Sequence, residues 1–325
     1  QDVVTGLAWS PDGQQLATSS RDGLVKIRDL THRTRGHVGT VHSVAVSPAN
    51  DTFASAGADR TVKLWEGPKG RLIDRLKHDA EVLSLRFAPD GQRLATGGGD
   101  GSVRLWDTSS DQVRSISSEN IHSGEVRCVA FHPEGQQFVS AGLDGNIVVY
   151  SLDGSVEPEV LVRHAAPINS LAFSPEGAIL AFGSADNRVT LWELESGEST
   201  TLEGHVGEVV CVAFNSSGHE LASAGTDGSV RVWDWQSEVE LVRIAIEDVT
   251  AISYSADDSR LFASTLRESV KILDVETEQV MLTLPAESPV HCLAVNRTEE
   301  LLAIGGQSGE IRAWRALAVD ATSDQ

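Results

Sequence analysis

The residue types that could do chemistry are present in this chain but do not converge. Gly97-Gly98-Gly99-Asp100-Gly101 is the nearest approach to a phosphate cradle. A phosphate-binding loop needs a Lys-Ser/Thr pair and a helix directly after the glycines, so that N–H groups aim at the phosphate. Ser102 to Trp106 instead alternates polar and apolar residues, so the run reads as a hairpin turn. The ten histidines include no HExxH pair and no grouped His/Cys set with zinc spacing. His132 and His219 fall in turns that follow strands, where a solvated ring is expected. Three cysteines with no CxxC pair suit neither a disulfide framework nor a metal site. Cys128, Cys211 and Cys292 each stand two residues after a Val and read as small core residues of reduced, intracellular strands. The expectation is therefore no catalytic residue, no cofactor and no metal, and a protein that is not an enzyme.

Charge narrows the partners. Lys plus Arg number 26 against 47 Asp plus Glu, a net charge of −21. Such a field repels nucleic acid and anionic lipid, so neither is expected as a ligand. It suits a basic partner, and equally plain solubility. No stretch reaches the roughly 18 consecutive apolar residues of a membrane span. The expected location is the cytoplasm.

The elements that would hold any site follow from an internal repeat. The pattern LA…SPDG…LATS…DG.V.LWD occurs eight times, with anchors at Arg28, Trp65, Trp106, Tyr150, Trp192, Trp233, Leu273 and Trp314. The repeat cores run about 3–30, 37–66, 78–107, 122–151, 164–193, 205–234, 245–274 and 286–315, within a single domain over 1–325. In the third copy Val82 to Phe87 reads as a strand, and Ala88-Pro89-Asp90-Gly91 as a turn in which Pro presets one angle and Gly supplies positive φ. Arg93 to Gly97 returns, Ser102 to Trp106 follows, and a variable fourth strand lies near Val113 to Ile116. One such sheet cannot bury both faces, whereas sheets stacked around a ring do. The fold class is all-β: an eight-bladed β-propeller of four-stranded antiparallel sheets. Because the first, seventh and eighth copies are degenerate, the alternative is seven blades plus an appended repeat.

Gly36-His37, Ser55, Asp59 and Trp65-Glu66 resemble the Gly-His…Trp-Asp signature of WD-repeat proteins. The resemblance implies buried hydrogen-bonded tetrads, complete as His37/Ser55/Asp59/Trp65, His78/Thr96/Asp100/Trp106 and His205/Ser223/Asp227/Trp233. His122, Ser140 and Asp144 meet Tyr150 in place of Trp, and His164, Asp186 and Trp192 meet Phe182 in place of Ser. The first repeat has Arg28, the seventh Ala263, Arg267 and Leu273, and the eighth Ile304 and Ser308, so these must rely on apolar packing and form the weakest arc. The outer strand of the last blade comes from Ala316 to Val319, from residues outside this sequence, or is missing.

The resemblance also implies a non-catalytic scaffold that docks other proteins on one face. Residues flanking each first strand and preceding each turn Asp are least committed to packing. They give Arg21 and His42, then Glu81, Leu83, Glu125, Arg127 and Leu143, then Asn169, Glu208, Val210, Asp248, Leu266 and His291. Apolar contacts with interleaved carboxylates suit a basic or amphipathic peptide segment. Two other readings stay open: a cofactor-dependent propeller enzyme, and an architectural spacer within an assembly. The oligomeric state is not indicated.

Overall fold

Alternation and turn chemistry act together in each repeat. At the turn after Val82–Phe87 the Asp90 carboxylate accepts the Gln92 N–H at 2.9 Å, and Gly91 takes φ 67°. At the next turn Gly101 takes φ 83°, and a Cβ there would meet the His122 carbonyl oxygen at 2.2 Å. Both conformation and space demand glycine.

The computed structural model describes the backbone of residues 4–9, 16–20, 24–28, 32–35, 41–49, 52–66, 71–109, 113–153, 156–255, 257–267, 269–285, 290–296, 301–306 and 311–315. Side chains are described between 42 and 283 of these, apart from 44, 46, 53, 65, 66 and 71.

Among these residues the strands form seven four-stranded sheets and one three-stranded sheet, each antiparallel. The first holds β1 (Val4–Trp9), β2 (Leu16–Ser20), β3 (Leu24–Arg28) and β4 (His32–Arg35). The second holds β5 (Val41–Val46), β6 (Thr52–Gly57), β7 (Thr61–Glu66) and β8 (Arg71–Lys77). The third holds β9 (Val82–Phe87), β10 (Arg93–Gly98), β11 (Ser102–Asp107) and β12 (Arg114–Asn120). The fourth comprises β13 (Val126–Phe131), β14 (Gln137–Gly142), β15 (Asn146–Ser151) and β16 (Glu159–Arg163). The fifth comprises β17 (Ile168–Phe173), β18 (Ile179–Ser184), β19 (Val189–Glu193) and β20 (Ser199–Leu202). The sixth comprises β21 (Val209–Phe214), β22 (Glu220–Gly225), β23 (Ser229–Asp234) and β24 (Val239–Ala245). The seventh runs β25 (Val249–Tyr254), β26 (Arg260–Thr265), β27 (Ser269–Asp274) and β28 (Gln279–Pro285). The last runs β29 (Val290–Asn296), β30 (Leu301–Gly306) and β31 (Ile311–Arg315). The expected outer strand from Ala316 to Val319 lies outside the described residues. The fourth strand expected near Val113 to Ile116 starts at Arg114 and continues to Asn120.

Each apolar core lies between two sheets rather than within one. Ala54, Val62, Leu64 and Leu76 of the second sheet pack with Leu85, Leu94 and Trp106 of the third. Val189, Leu191 and Leu202 of the fifth pack with Val212, Leu221 and Trp233 of the sixth. First strands adjoin in succession, β1 with β5, then β9, β13, β17, β21, β25 and β29, and β1 also adjoins β29. This is the sheet arrangement of a β-propeller, with first strands innermost.

Candidate functional site

Every first strand carries a β-bulge at its second residue. The pairing to the second strand skips Thr5, His42, Leu83, Arg127, Asn169, Val210, Thr250 and His291. A bulge frees one residue from the ladder and re-aims it. Here it gathers the second residues at one mouth of the ring, beside the residues that precede each turn Asp. A repeated backbone clasp joins the two loops. Gly99 N–H donates to Glu81 O, Leu143 to Glu125, Ala185 to Pro167, Thr226 to Glu208 and Leu266 to Asp248, at 2.8–3.0 Å. The clasp and the bulge place the described members of each pair, such as Glu81 with Gly99 and Glu125 with Leu143, at the same end of their sheets.

The network beneath this face is fullest in the sixth sheet. His205 Nδ1 lies 3.0 Å from Asp227 Oδ2 and His205 Nε2 lies 2.8 Å from Ser223 Oγ, which also accepts Trp233 Nε1–H at 2.9 Å. Burial opposes ionisation of Asp227, yet donors from Ser229, the Val206 N–H and His205 hold its carboxyl at about 2. The fourth sheet repeats the pattern: His122 Nδ1 sits 3.0 Å from Asp144 Oδ1, His122 Nε2 sits 2.7 Å from Ser140 Oγ, and Ser140 Oγ lies 3.2 Å from the Tyr150 hydroxyl. The Tyr hydroxyl occupies the indole's place.

A family model described as "IFT122 first beta-propeller" matches residues 29–200, and one described as "WD domain, G-beta repeat" matches 1–29 and 197–234. The chain belongs to the WD-repeat β-propellers. The WD repeat-containing protein AAC3 of Dictyostelium discoideum is 24% identical over 221 residues, which are 59% of this chain and 46% of that protein. THO complex subunit 3 of Arabidopsis thaliana is 29% identical over 204 residues, 59% of this chain and 63% of that protein. The chain thus spans less than two thirds of each relative's length. The crystal structure of the computationally designed Ika8 protein superposes with a TM-score of 0.82 at 24% identity, over 97% of this chain and 96% of that chain. That likeness is one of fold.

Other repeats of this WD-repeat protein depart from the full tetrad, each for a local reason. In the third, His78 Nε2 reaches Thr96 Oγ1 at 2.9 Å and Trp106 Nε1–H donates to the same oxygen at 3.1 Å. Asp100 does not join them. It accepts Ser102 Oγ–H at 2.6 Å and Ser102 N–H at 3.1 Å, and His78 Nδ1 is buried without a hydrogen-bond partner. This corrects the expected His78/Thr96/Asp100/Trp106 tetrad: three members assemble and Asp100 serves the turn. In the second repeat Ser55 is fully buried and Asp59 accepts Thr61 Oγ1–H at 2.7 Å, while His37 and the Trp65 side chain lie outside the described residues.

The fifth repeat shows what loss of the hydroxyl does. Phe182 packs edge-on to His164, whose Nε2 lies 3.0 Å from Asp186 Oδ2, and buried Trp192 Nε1 lacks a hydrogen-bond partner. In the seventh repeat Ile246, Ala263 and Leu273 stand in the places of His, Ser and Trp and belong to one buried apolar cluster. This is the apolar packing expected of a degenerate repeat, and a well-packed apolar replacement of a buried polar network is often neutral or stabilising. Arg267, in the place of the turn Asp, pairs on the surface with Asp248 at 2.9 Å and Glu247 at 2.5 Å.

Two members of the network were missed in sequence. The residue two after the turn Asp supplies a hydroxyl (Thr61, Ser102, Ser229), and the residue two further on is a cation that is largely buried. Arg231 donates to Gly204 O at 2.6 Å and Glu240 Oε2 at 2.5 Å, and lies 3.6 Å from Asp227 Oδ2. The signal was available as Asp-x-Ser/Thr-Val-Lys/Arg at Asp59–Lys63, Asp100–Arg104 and Asp227–Arg231.

On the face itself, Glu81, Glu125, Arg127, Leu143, Glu208, Asp248 and Leu266 are exposed, and His42, Leu83, Asn169 and Val210 are half-buried. Arg21 and His291 lie outside the residues with described side chains. The carboxylates are less available than their sequence positions imply. Glu81 Oε2 is 3.2 Å from His42 Nε2, Glu125 Oε2 is 3.7 Å from Arg127 Nε, and Asp248 is held by Arg267. Cross-sheet bonds continue round the mouth: Arg127 Nη1–H to Asn169 Oδ1 at 2.8 Å, then Asn169 Nδ2–H to Val209 O at 3.1 Å.

Two of the cysteines pack against cores, as expected. Cys128 is half-buried, packs against the core between the fourth and fifth sheets, and also lines an open cavity bordered by β5, β9, β13 and β17. Burial pushes its thiol up to about 12, which keeps it unreactive. Cys211 is half-buried and packs against the core between the sixth and seventh sheets, and Cys292 lies outside the residues with described side chains.

Proposed function

We propose that this chain is a non-catalytic protein-interaction scaffold, one ring of eight blades that docks partner proteins on the bulge-bearing mouth. The repeated clasp and bulge carry the reading. They present a rigid set of side chains in which neighbouring sheets are already hydrogen-bonded, so little ordering is left to offset on binding. Exposed Leu143 and Leu266, 43% and 42% accessible, supply apolar contact, and Glu208 supplies charge without an ion-pair partner among the described residues. The adjacency of β1 and β29 supports eight blades over seven plus an appended unit. Relatives whose names place them in assemblies, such as THO complex subunit 3, support the scaffold role. Free Cys128 and Cys211 support a reducing, cytoplasmic setting.

The partner segment is basic or amphipathic, with cations competing for Glu81 and Glu125 and taking Glu208. Reversing Glu81, Glu125 and Glu208 to Lys weakens capture of the natural partner by about tenfold or more, roughly 1.4 kcal/mol, and flattens its salt dependence. The same reversal of Asp90, Glu134 and Glu176, exposed in turns at the opposite end, leaves capture unchanged. Quantitative pull-down with all three proteins tests this. Equal capture by wild type and the mouth variant places the working surface elsewhere.

A further inference from the structure

The charge of this protein is unevenly divided. The chain carries −21, yet the eight first strands contain no Asp or Glu. Their ionisable side chains, thiols and one tyrosine aside, are His42, Arg86, Arg127 and His291. Three of these are the bulged residues at the mouth; Arg86 lies deeper. Register places Arg86 opposite Ala95, just as it places Ala45 opposite Ala54, Ala130 opposite Val139 and Ala213 opposite Ala222. In all seven other first strands the equivalent residue is Ala or Ser. One guanidinium therefore stands in a ring of small side chains.

Arg86 lines an open cavity bordered by β5, β9, β13 and β17, about 660 Å³ in volume, which also touches Arg127, Asn169, Ser84 and Ser170. That volume lies within the range of small-molecule sites. Arg86 Nη1–H donates to its neighbour's Leu85 O at 3.2 Å. Among the described residues no carboxylate lies within ion-pair distance of it. Arg86 is exposed within this cavity, so its guanidinium is open to a ligand. The fold does not need a cation here, since Ala or Ser fills the same position in the other first strands. The planar fork of an Arg matches carboxylate and phosphate oxygens two at a time.

We propose that this cavity is a binding site for a small oxyanion, a carboxylate or phosphate group, gripped by Arg86 with Arg127 at its entrance. The long-range field of the acidic exterior disfavours highly charged anions, so the ligand is a compact group of one or two charges that gains its affinity at short range. The site shares Arg127 and Asn169 with the docking face, but its probes are small anions with no partner protein present and its variants change Arg86 alone, so either reading can fail alone.

The test titrates the protein with inorganic phosphate and, separately, succinate, with sodium chloride holding ionic strength constant. Thermal midpoints and the arginine Nε–H resonances are followed in wild type, Arg86→Ala and Arg86→Lys. Arg86→Ala reproduces the residue of neighbouring strands and stays folded, which circular dichroism checks. The expected result is a saturable rise in midpoint and displacement of one arginine resonance, the one missing from Arg86→Ala. Affinity falls about tenfold or more in Arg86→Ala, with Arg86→Lys between. A response to phosphate alone assigns a phosphate-bearing ligand, and to succinate alone a carboxylate. Wild-type affinity in Arg86→Ala, or an Arg86 resonance that neither anion moves, overturns the site.

Discussion

Asp227→Ala lowers the unfolding free energy by about 2–4 kcal/mol, whereas Asp100→Ala costs only about 1 kcal/mol. The two carboxylates occupy equivalent places in sequence but not in the folded protein. Asp227 is almost wholly buried and accepts from His205 Nδ1, Val206 N–H, Ser229 N–H and Ser229 Oγ–H, with Arg231 alongside. Its removal strands all of these donors and leaves the Arg231 guanidinium short of an anion where water cannot replace it. Asp100 accepts only from Ser102, at an exposed turn, and its loss leaves His78, Thr96 and Trp106 as they were. Urea denaturation of both variants under identical conditions measures the difference. Equal losses would show that the turn bonds, and not the His-centred network, carry the stability.

Stability falls by about 3 kcal/mol as pH drops from 6.5 towards 4. Burial, aided by the nearby Arg104, pushes His78 down to about 4, so the native ring stays neutral where the unfolded chain's histidine has taken a proton. The unfolded state therefore binds more protons across this window, and stability rises with pH there. The contribution is complete above about 6.5, the ordinary histidine value, and is lost progressively on acidification. Burial moves His205 in the same direction. Asp227 acts lower: its depressed carboxyl contributes above the usual carboxylate range and loses that contribution as pH falls through about 2. Urea melts at pH 7, 5.5 and 4.5 read the slope, and His78→Gln, which cannot charge, makes it shallower. A wild type equally stable at pH 7 and 4.5, or a variant with the parent's slope, would refute the assignment.

The repeat, the strands and the shared face follow from local chemistry and so are written along the chain. Pro-Asp-Gly and Asp-Gly turns recur at fixed offsets, and each dictates its own conformation without help from distant residues. The common offset of the candidate face residues was legible for the same reason, because residues at one offset in every repeat must end at one end of every sheet. What the chain alone could not settle is which side chains meet. Asp100 and Asp227 share a motif, and only the packed structure turns one toward its Ser and the other toward its His. The bulge at the second residue of each first strand is a misfit between two paired strands, and no single strand encodes it. The free carboxylates expected at Glu81 and Glu125 have partners instead, because the ring brings His42 within hydrogen-bond distance of the first across a sheet boundary, and Arg127 lies beside the second. Arg86 illustrates the division most sharply. Its sequence position marks it as a substitution for Ala, but only closure of the first strands around a common cavity makes that substitution a charge facing a space large enough to hold a ligand.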